Sequence, residues 1–212
     1  WKNLNFVSKE EREARSNEWY TGDTYHVSIG QGYLLTTPLQ VNTWTNAVAN
    51  GGKICRPTIE RLMNYDVQFK NCKDLGIKKE TIELITKGMA RACETGGTGW
   101  PLFNFTVSKL DQSGNDKTRT PGAQRIHVPV ACKTGTAEFG DPKEQTHAWF
   151  TVFAPLPAEV PPIGTKEGAL DTSKTISGEP EISVTVLVEG AGEGSDVAAP
   201  VAKKILEEWF SR

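Results

Sequence analysis

The sequence predicts an α+β fold in which helices pack on one antiparallel sheet. Three observations predict it: helical periodicity in the first half of the chain, three strand-like segments in the second half, and a further amphipathic helix at the end. The chain has 212 residues, which is enough to bury a core. We therefore treat residues 1–212 as belonging to a single domain.

The first regular element is predicted after an irregular start. Residues 1–20 are mostly polar and charged, and we expect no core element there. A helix is predicted from Thr37, which suits an N-cap, with Pro38 in the first helical position and Gln40 at the spacing of a capping box. The next Gly-Gly pair ends this helix. Its apolar face is predicted to hold Leu39, Ala47 and Val48, with Trp44 near the edge.

A short strand and a second helix are predicted next. The run KICRP has strand character and is limited by Pro57. Over about residues 78–94, apolar residues recur at three- and four-residue steps, which predicts a helix ended by Gly96-Gly97. Residues 97–125 are rich in Gly, Thr, Asn and Asp and are predicted to be a loop. The apolar positions of the second helix are Ile82, Ile85, Met89 and Cys93.

Three strands are predicted at about residues 127–134, 147–154 and 181–188. The proline-rich segment 155–180 is predicted to be a surface loop rather than a linker, because strands flank it on both sides. A final helix is predicted over about residues 195–209. Its apolar stripe is predicted to be Val197, Val201, Ile205 and Trp209.

The composition excludes several classes of function. Lys and Arg number 24 against 26 Asp and Glu, a formal net charge of −2, so we predict no nucleic-acid partner. No apolar run approaches the ~20 residues that span a bilayer, so any membrane anchor is expected outside this chain. Three scattered histidines and four cysteines without a C-x-x-C pair predict no metal site, and no cofactor is predicted.

The four cysteines are Cys55, Cys72, Cys93 and Cys132. We interpret them as small, buried apolar side chains. A Cys55–Cys72 disulfide requires an oxidising compartment, and the sequence leaves its presence open.

The run Lys133-Thr134-Gly135-Thr136 combines a cation, two hydroxyls and a glycine at the end of a predicted strand. Lys133 would supply a fixed cation and Thr134 a hydroxyl. Gly135 would let a ligand backbone lie along the strand edge as an added strand. Thr136 would offer a second hydroxyl and a backbone N–H for a developing oxyanion. Such a site suits a peptide-like substrate that ends in a carboxylate.

Motifs for other chemistries are weaker. Gly190, Gly192 and Gly194 follow a predicted strand, but the third glycine comes too early for a dinucleotide-binding fingerprint, so we interpret them as a turn. No serine has the flanking glycines of a triad hydrolase. His147 opens a strand beside the candidate site and is interpreted as lining it rather than as a catalyst. Asp23, Glu138 and Asp141 are interpreted as turn or rim residues.

Several spaced motifs together resemble the class B penicillin-binding proteins. K-T-G is one signature of penicillin-binding proteins and class A β-lactamases, and here it extends to KTGTAE, followed by HAWF and FAP. The segment TYHVSIGQGYLLTTPLQ is similar to the one that precedes a core helix in that family, and WK, EWYTGDT, GGKICRP and ETGGTG also resemble it. The match covers nearly the whole chain in order. It is most similar to the elongation-type D,D-transpeptidases of rod-shaped bacteria.

The resemblance implies the C-terminal part of a transpeptidase domain that cross-links peptidoglycan. In that family a serine attacks the D-Ala-D-Ala bond of a stem peptide, an acyl-enzyme forms, and the amine of a neighbouring stem takes the acyl group. β-Lactams acylate the same serine. Carried onto this sequence, the catalytic residues would be Lys133, which holds charge and assists proton movement, and Thr136, whose N–H forms half of the oxyanion hole. Thr134, Gly135 and Thr136 would bind the substrate or antibiotic.

The serine–lysine pair of that family is missing from this sequence. No serine here has a lysine three positions later, so S-x-x-K is absent. Ser113-Gly114-Asn115 spells S-x-N, but it follows the GQG segment instead of preceding it and is interpreted as an ordinary turn. We expect the chain to start inside the domain, downstream of the serine helix. The alternative is a non-catalytic peptide-binding or scaffold protein of the same fold.

The chain alone is expected neither to hydrolyse penicillins nor to be acylated by them, because it has no S-x-x-K nucleophile. Incubation with a fluorescent penicillin, followed by a denaturing gel, checks this. A penicillin-binding protein that contains its serine is the positive control. A covalent fluorescent band from this chain would contradict the expectation.

The resemblance also implies partners and a location. The ligands would be peptidoglycan stem peptides and β-lactam antibiotics, and the implied protein partner is a membrane glycosyltransferase. The expected location is the extracytoplasmic face of the bacterial cell membrane. Because the absence of the serine helix would leave a face uncovered, we also expect domain swapping or a homodimer formed through that face.

Overall fold

The computed structural model describes most of the chain, namely residues 19–32, 34–59, 71–108, 125–140, 143–157 and 175–212. Within these residues the chain forms α-helices and antiparallel sheets, which confirms the predicted α+β class. The S-x-N run, Asp141, residues 1–18 and residues 158–174 lie outside the described residues. The interpretations placed on them therefore stay predictions.

The elements follow one another in a simple order. They are α1 (Thr21–Ser28), α2 (Pro38–Ala49), β1 (Lys53–Cys55), β2 (Cys72–Asp74), α3 (Lys79–Ala92), a 3₁₀ turn (Trp100–Leu102), β3 (Thr106–Ser108), β4 (Arg125–His127), β5 (Ala131–Glu138), β6 (Thr146–Ala154), β7 (Ile182–Val188), a π-helical turn (Gly194–Ala198) and α4 (Ala199–Ser211). Strands β1 and β2 form one small antiparallel pair, and β3 and β4 form another.

Strands β5, β6 and β7 form the main antiparallel sheet, in that order. Central strand β6 pairs with both neighbours, and its register places Thr151 opposite Lys133 and Trp149 opposite Gly135. Among the described strands β5 therefore lies at the edge of the sheet. This is the position that the sequence predicts for the K-T-G run.

The face of the sheet covered by α4 carries the main apolar core. Phe150 and Val152 of β6 are buried there, in one cluster with Ala202 and Leu206 of α4. Burying a side chain of the size of leucine or phenylalanine contributes about 1.5–3 kcal/mol. Apolar burial therefore holds α4 on this face.

Hydroxyl groups join the opposite face of the sheet to α2. The Thr45 and Thr151 hydroxyl oxygens are 2.8 Å apart, and the Thr151 hydroxyl oxygen is also 2.8 Å from that of Thr185. Asn42 Nδ2 donates to the Thr185 hydroxyl at 3.2 Å. Because buried hydroxyls are stable only with partners, this ladder fixes the position of α2 over the strands.

The start of α2 forms as predicted, but only part of its predicted apolar face is buried: Ala47 is buried and Val48 packs against a core cluster. Gln40 N donates to the Thr37 hydroxyl at 3.2 Å and Thr37 N donates to Gln40 Oε1 at 2.9 Å, which completes the capping box. Leu39 and Trp44 are exposed, however, and the buried residues of α2 include Thr45. The helix contacts the sheet largely through polar groups, which a search for apolar periodicity does not detect.

The end of the chain is helical as predicted, but the stripe that faces the core is different. Val201, Ile205 and Trp209 are 44%, 43% and 42% exposed. The π-helical turn before α4 adds a residue to one turn and so shifts the phase with which the helix meets the sheet. The residues of α4 that are buried instead are Ala199, Ala202, Leu206 and Phe210.

The strand predicted at residues 127–134 is in fact two strands. Strand β4 ends at His127 and β5 begins at Ala131, with Pro129, which has no N–H to donate to a ladder, between them. The K-T-G run thus lies within β5, which continues to Glu138. Four elements were not predicted: α1, β2, and both the 3₁₀ turn and β3, which lie in the segment after α3 that was interpreted as a loop.

All four cysteines form disulfides, which their interpretation as small, buried apolar side chains did not include. Cys55 pairs with Cys72, which was left open, and joins β1 to β2. Cys93 pairs with Cys132, which was not predicted. Both members of the second pair are buried, and they join the end of α3 to β5 one residue before the K-T-G run.

Candidate functional site

The outer edge of β5 presents the backbone of Thr134 and Thr136. Gln31 Nε2 donates to the Thr136 carbonyl at 2.9 Å, and Lys133 Nζ donates to the Thr134 carbonyl. In an antiparallel ladder the N–H and C=O of one residue point to the same side, and alternate residues share that side. The N–H groups of Thr134 and Thr136 therefore also face the edge that β6 does not occupy.

The side chains of the K-T-G run divide between the two faces of the sheet. Successive side chains of a strand alternate, so Lys133 and Gly135 face the side of α2, and Thr134 and Thr136 face the side of α4. Lys133 and Thr136 are exposed, whereas Thr134 and Gly135 are half-buried. One short length of edge thus combines an exposed cation, two hydroxyls and two backbone donors.

Glycine residues let the backbone of the π-helical turn approach the backbones of β5 and β6 closely behind this edge. A β-carbon on Gly194 would overlap the carbonyl oxygen of Trp149 and lie 2.6 Å from that of Gly135. A β-carbon on Gly135 would lie 3.1 Å from the β-carbon of Trp149. Gly135 therefore has a packing role against Trp149, in addition to the docking role that the sequence predicts and that stays a prediction.

Thr98, in the loop after α3, contacts the K-T-G run directly. The Thr134 hydroxyl donates to the Thr98 hydroxyl at 2.9 Å. Two separate segments therefore meet β5, the GQG segment through Gln31 and the TGGTG segment through Thr98. The sequence alone indicated that both segments resemble the family, but it assigned neither Gln31 nor Thr98 a role in the site.

His147 lies at the far end of the β5–β6 pair and is held by two contacts. Its Nδ1 accepts a hydrogen bond from Gly190 N at 3.0 Å, and its ring stacks on that of Phe139 with centroids 4.0 Å apart. Its register partner in β5 is Ala137, the residue that follows Thr136. These contacts give His147 a structural role at the rim.

The titratable groups of the described residues offer no metal site. Within the described ranges no group of three His, Cys, Asp or Glu side chains is placed to hold a metal ion.

Burial lowers the pKa of His127, in β4, below its ordinary value. Asp23 was interpreted as a turn or rim residue, but it is buried in the first turn of α1, where its Oδ2 accepts from Tyr20 N at 2.8 Å as part of a capping box. No helix in the described part of the chain is long and apolar enough to cross a bilayer.

An edge strand that carries K-T-G, with helices on both faces of its sheet, defines the class of penicillin-recognising transpeptidases. The family model described as "Penicillin binding protein transpeptidase domain" matches residues 3–160. The chain belongs to this family.

The similar proteins are peptidoglycan D,D-transpeptidases and penicillin-binding proteins. The D,D-transpeptidase MrdA of Haemophilus influenzae is 30% identical over 220 residues, covering 98% of this chain and 29% of the relative. PBP2 of Helicobacter pylori, solved in complex with MreC, superposes with a TM-score of 0.57 at 26% identity, covering 95% of this chain and 30% of that one. Penicillin-binding protein A of Mycobacterium tuberculosis, solved as a ceftriaxone acyl-enzyme, superposes with a TM-score of 0.50 at 25% identity, covering 86% of this chain and 34% of that one.

The chain spans about 30% of the length of these relatives. The family match and the relatives' names confirm the predicted class, that of penicillin-binding proteins with a transpeptidase domain. The roles assigned to Lys133, Thr134, Gly135 and Thr136 stay predictions.

Proposed function

We propose that this chain supplies the K-T-G part of the active site of a serine-type D,D-transpeptidase. A stem peptide docks along the outer edge of β5, and its terminal carboxylate lies beside the Thr134 and Thr136 hydroxyls. The observation that carries the proposal is the orientation of the β5 backbone, whose Thr134 and Thr136 carbonyls accept side-chain donors at the outer edge. A peptide strand added there would find donors and acceptors already aligned.

The reaction proposed for the whole protein is an acyl transfer. A serine supplied by another segment attacks the carbonyl carbon of the penultimate D-alanine, and the terminal D-alanine leaves as its amine. The acyl-enzyme is then attacked by the amine of a second stem, which releases the serine and forms the cross-link. Thr136 N–H, together with the serine's own N–H, donates to the oxygen that becomes negative in each tetrahedral intermediate.

Lys133 acts through its charge. Its side chain is exposed and already turned towards the edge, where Nζ donates to the Thr134 carbonyl. An ammonium at this position attracts the carboxylate of the incoming peptide and assists proton movement at the serine. β-Lactams carry a comparable carboxylate and would bind the same edge.

For the whole protein we further propose a membrane anchor outside this chain, a membrane glycosyltransferase partner and a location on the extracytoplasmic face of the cell membrane.

The affinity of the chain for short peptides tests this proposal. A tripeptide that ends in D-Ala-D-Ala with a free carboxylate is expected to bind about tenfold more tightly than its carboxamide, because charge-assisted hydrogen bonds to the carboxylate are lost in the amide. Titration calorimetry or NMR measures both constants. Lys133→Met is expected to remove most of the preference, and Lys204→Met, on α4, is the matched control. Equal affinities of the unaltered chain for acid and amide would contradict the proposal.

A further inference from the structure

The loop after α3 holds Thr98 in one place between two glycines. Gly97 N donates to the Glu94 carbonyl at 2.8 Å, and Gly99 N donates to the Ala92 carbonyl at 2.6 Å. A β-carbon on Gly97 would overlap the carbonyl oxygens at the end of α3. The backbone on both sides of Thr98 is therefore pressed against the helix terminus and hydrogen-bonded to it.

A disulfide fixes this loop relative to β5. Gly99 is buried against the Cys93–Cys132 bridge, and a β-carbon there would lie 2.6 Å from Cys132 Sγ and 3.0 Å from Cys93 Sγ. Cys132 immediately precedes Lys133 in β5, so the covalent link lies two residues from Thr134. The distance between Thr98 and Thr134 is set by this link, by the backbone bonds and by close packing.

We propose that Thr98 is a positioning residue that orients the Thr134 hydroxyl for the carboxylate of the ligand. A threonine hydroxyl has one proton to donate and two lone pairs to accept. Without ligand, the Thr134 proton points to the Thr98 oxygen. When a carboxylate arrives, Thr134 turns its proton to the ligand, and Thr98 donates its own proton to the Thr134 oxygen. This inference rests on the proposed function.

Reversing the direction of the hydrogen bond between Thr134 and Thr98 leaves both hydroxyls hydrogen-bonded and makes the site more ordered. Hydrogen bonds in a chain polarise one another, so a donor behind Thr134 strengthens the bond from Thr134 to the carboxylate. A rotamer already held by Thr98 also costs less entropy to fix when the ligand binds. The polarisation acts on an anionic acceptor more than on a neutral amide, because the bond to a charged group is the stronger one.

The test compares acid and amide forms of the D-Ala-D-Ala tripeptide on variants of the full chain. Thr98→Val, which keeps the shape and removes the hydroxyl, is expected to lower the acid-to-amide affinity ratio about fivefold with little change for the amide. Thr98→Ser is expected to keep the ratio. Thr95→Val, in the same loop and exposed, is the matched control. Should the valine prevent folding, Thr98→Ala provides the same comparison.

A double variant separates positioning from a general structural effect. If Thr98 acts through Thr134, then Thr98→Val has no further effect on the ratio in a Thr134→Val background. A normal ratio in Thr98→Val, or an equal loss with and without the Thr134 hydroxyl, would overturn the inference and leave the proposed function intact. Absence of any acid preference in the unaltered chain would instead contradict the proposed function itself.

Discussion

Replacing Gly194 by alanine is expected to destabilise the chain by about 3 kcal/mol, near the upper end of the cost of overpacking. The added methyl group would overlap the Trp149 carbonyl oxygen and lie 2.6 Å from the Gly135 carbonyl oxygen, and neither backbone group can turn away as a flexible side chain could. Gly194 is buried and begins the π-helical turn that leads into α4. Relief of the clash requires this turn to move away from β5 and β6.

Gly88→Ala is the matched control and has the opposite expected sign. Gly88 lies inside α3, is exposed, and has open space around its α-carbon. Alanine there is expected to stabilise the chain by about 0.5–1 kcal/mol, because glycine is the poorer helix former. Urea unfolding followed by circular dichroism measures both changes. A Gly194→Ala variant as stable as the unaltered chain would show that the close approach of these backbone segments is wrong.

Removing the Cys93–Cys132 disulfide is expected to lower the free energy of unfolding by roughly 4 kcal/mol. The bridge closes a loop with a sequence separation of 39, and the chain-entropy model assigns about 4 kcal/mol to a loop of that size. Both cysteines are buried, so alanines would also leave a small void between α3 and β5. The paired variant Cys93→Ala/Cys132→Ala, unfolded in denaturant beside the unaltered chain, gives the value.

The other disulfide provides an internal comparison. Cys55 and Cys72 have a sequence separation of 17 and are half-buried, so Cys55→Ala/Cys72→Ala is expected to cost roughly 3 kcal/mol. The loss from the buried pair is therefore predicted to be the larger. If removing the Cys55–Cys72 bridge proved the more damaging change, the link between α3 and β5 would not have the stabilising role assigned to it.

Sequence patterns that involve only neighbouring residues were sufficient to predict much of the fold. Thr37, Pro38 and Gln40 predict the start of α2, because capping needs only residues that are close in sequence. The alternation of the last strand predicts β7, and the K-T-G run was placed on an edge strand as found. Local hydrogen bonding and simple periodicity decide these elements, so one sequence suffices.

The errors occur where contacts between distant segments decide the outcome. The buried face of α4 depends on the π-helical turn and on alanines whose small side chains allow close packing, so the larger Val201 and Ile205 misled the prediction. Thr98 lies 36 residues from Thr134, and Gln31 lies 105 residues from Thr136. No pattern within a helix or strand reports such pairs. Only the resemblance of their segments to a known family pointed towards them.

Residue-resolved NMR of the chain, titrated with a tripeptide that ends in D-Ala-D-Ala, tests the central claim most directly. If the outer edge of β5 binds a peptide carboxylate, the backbone amide signals of Thr134 and Thr136 shift most, and the carboxamide peptide shifts them less at equal concentration. Shifts concentrated elsewhere, with both threonine amides unmoved by the acid, would contradict the assignment of β5 as the docking edge.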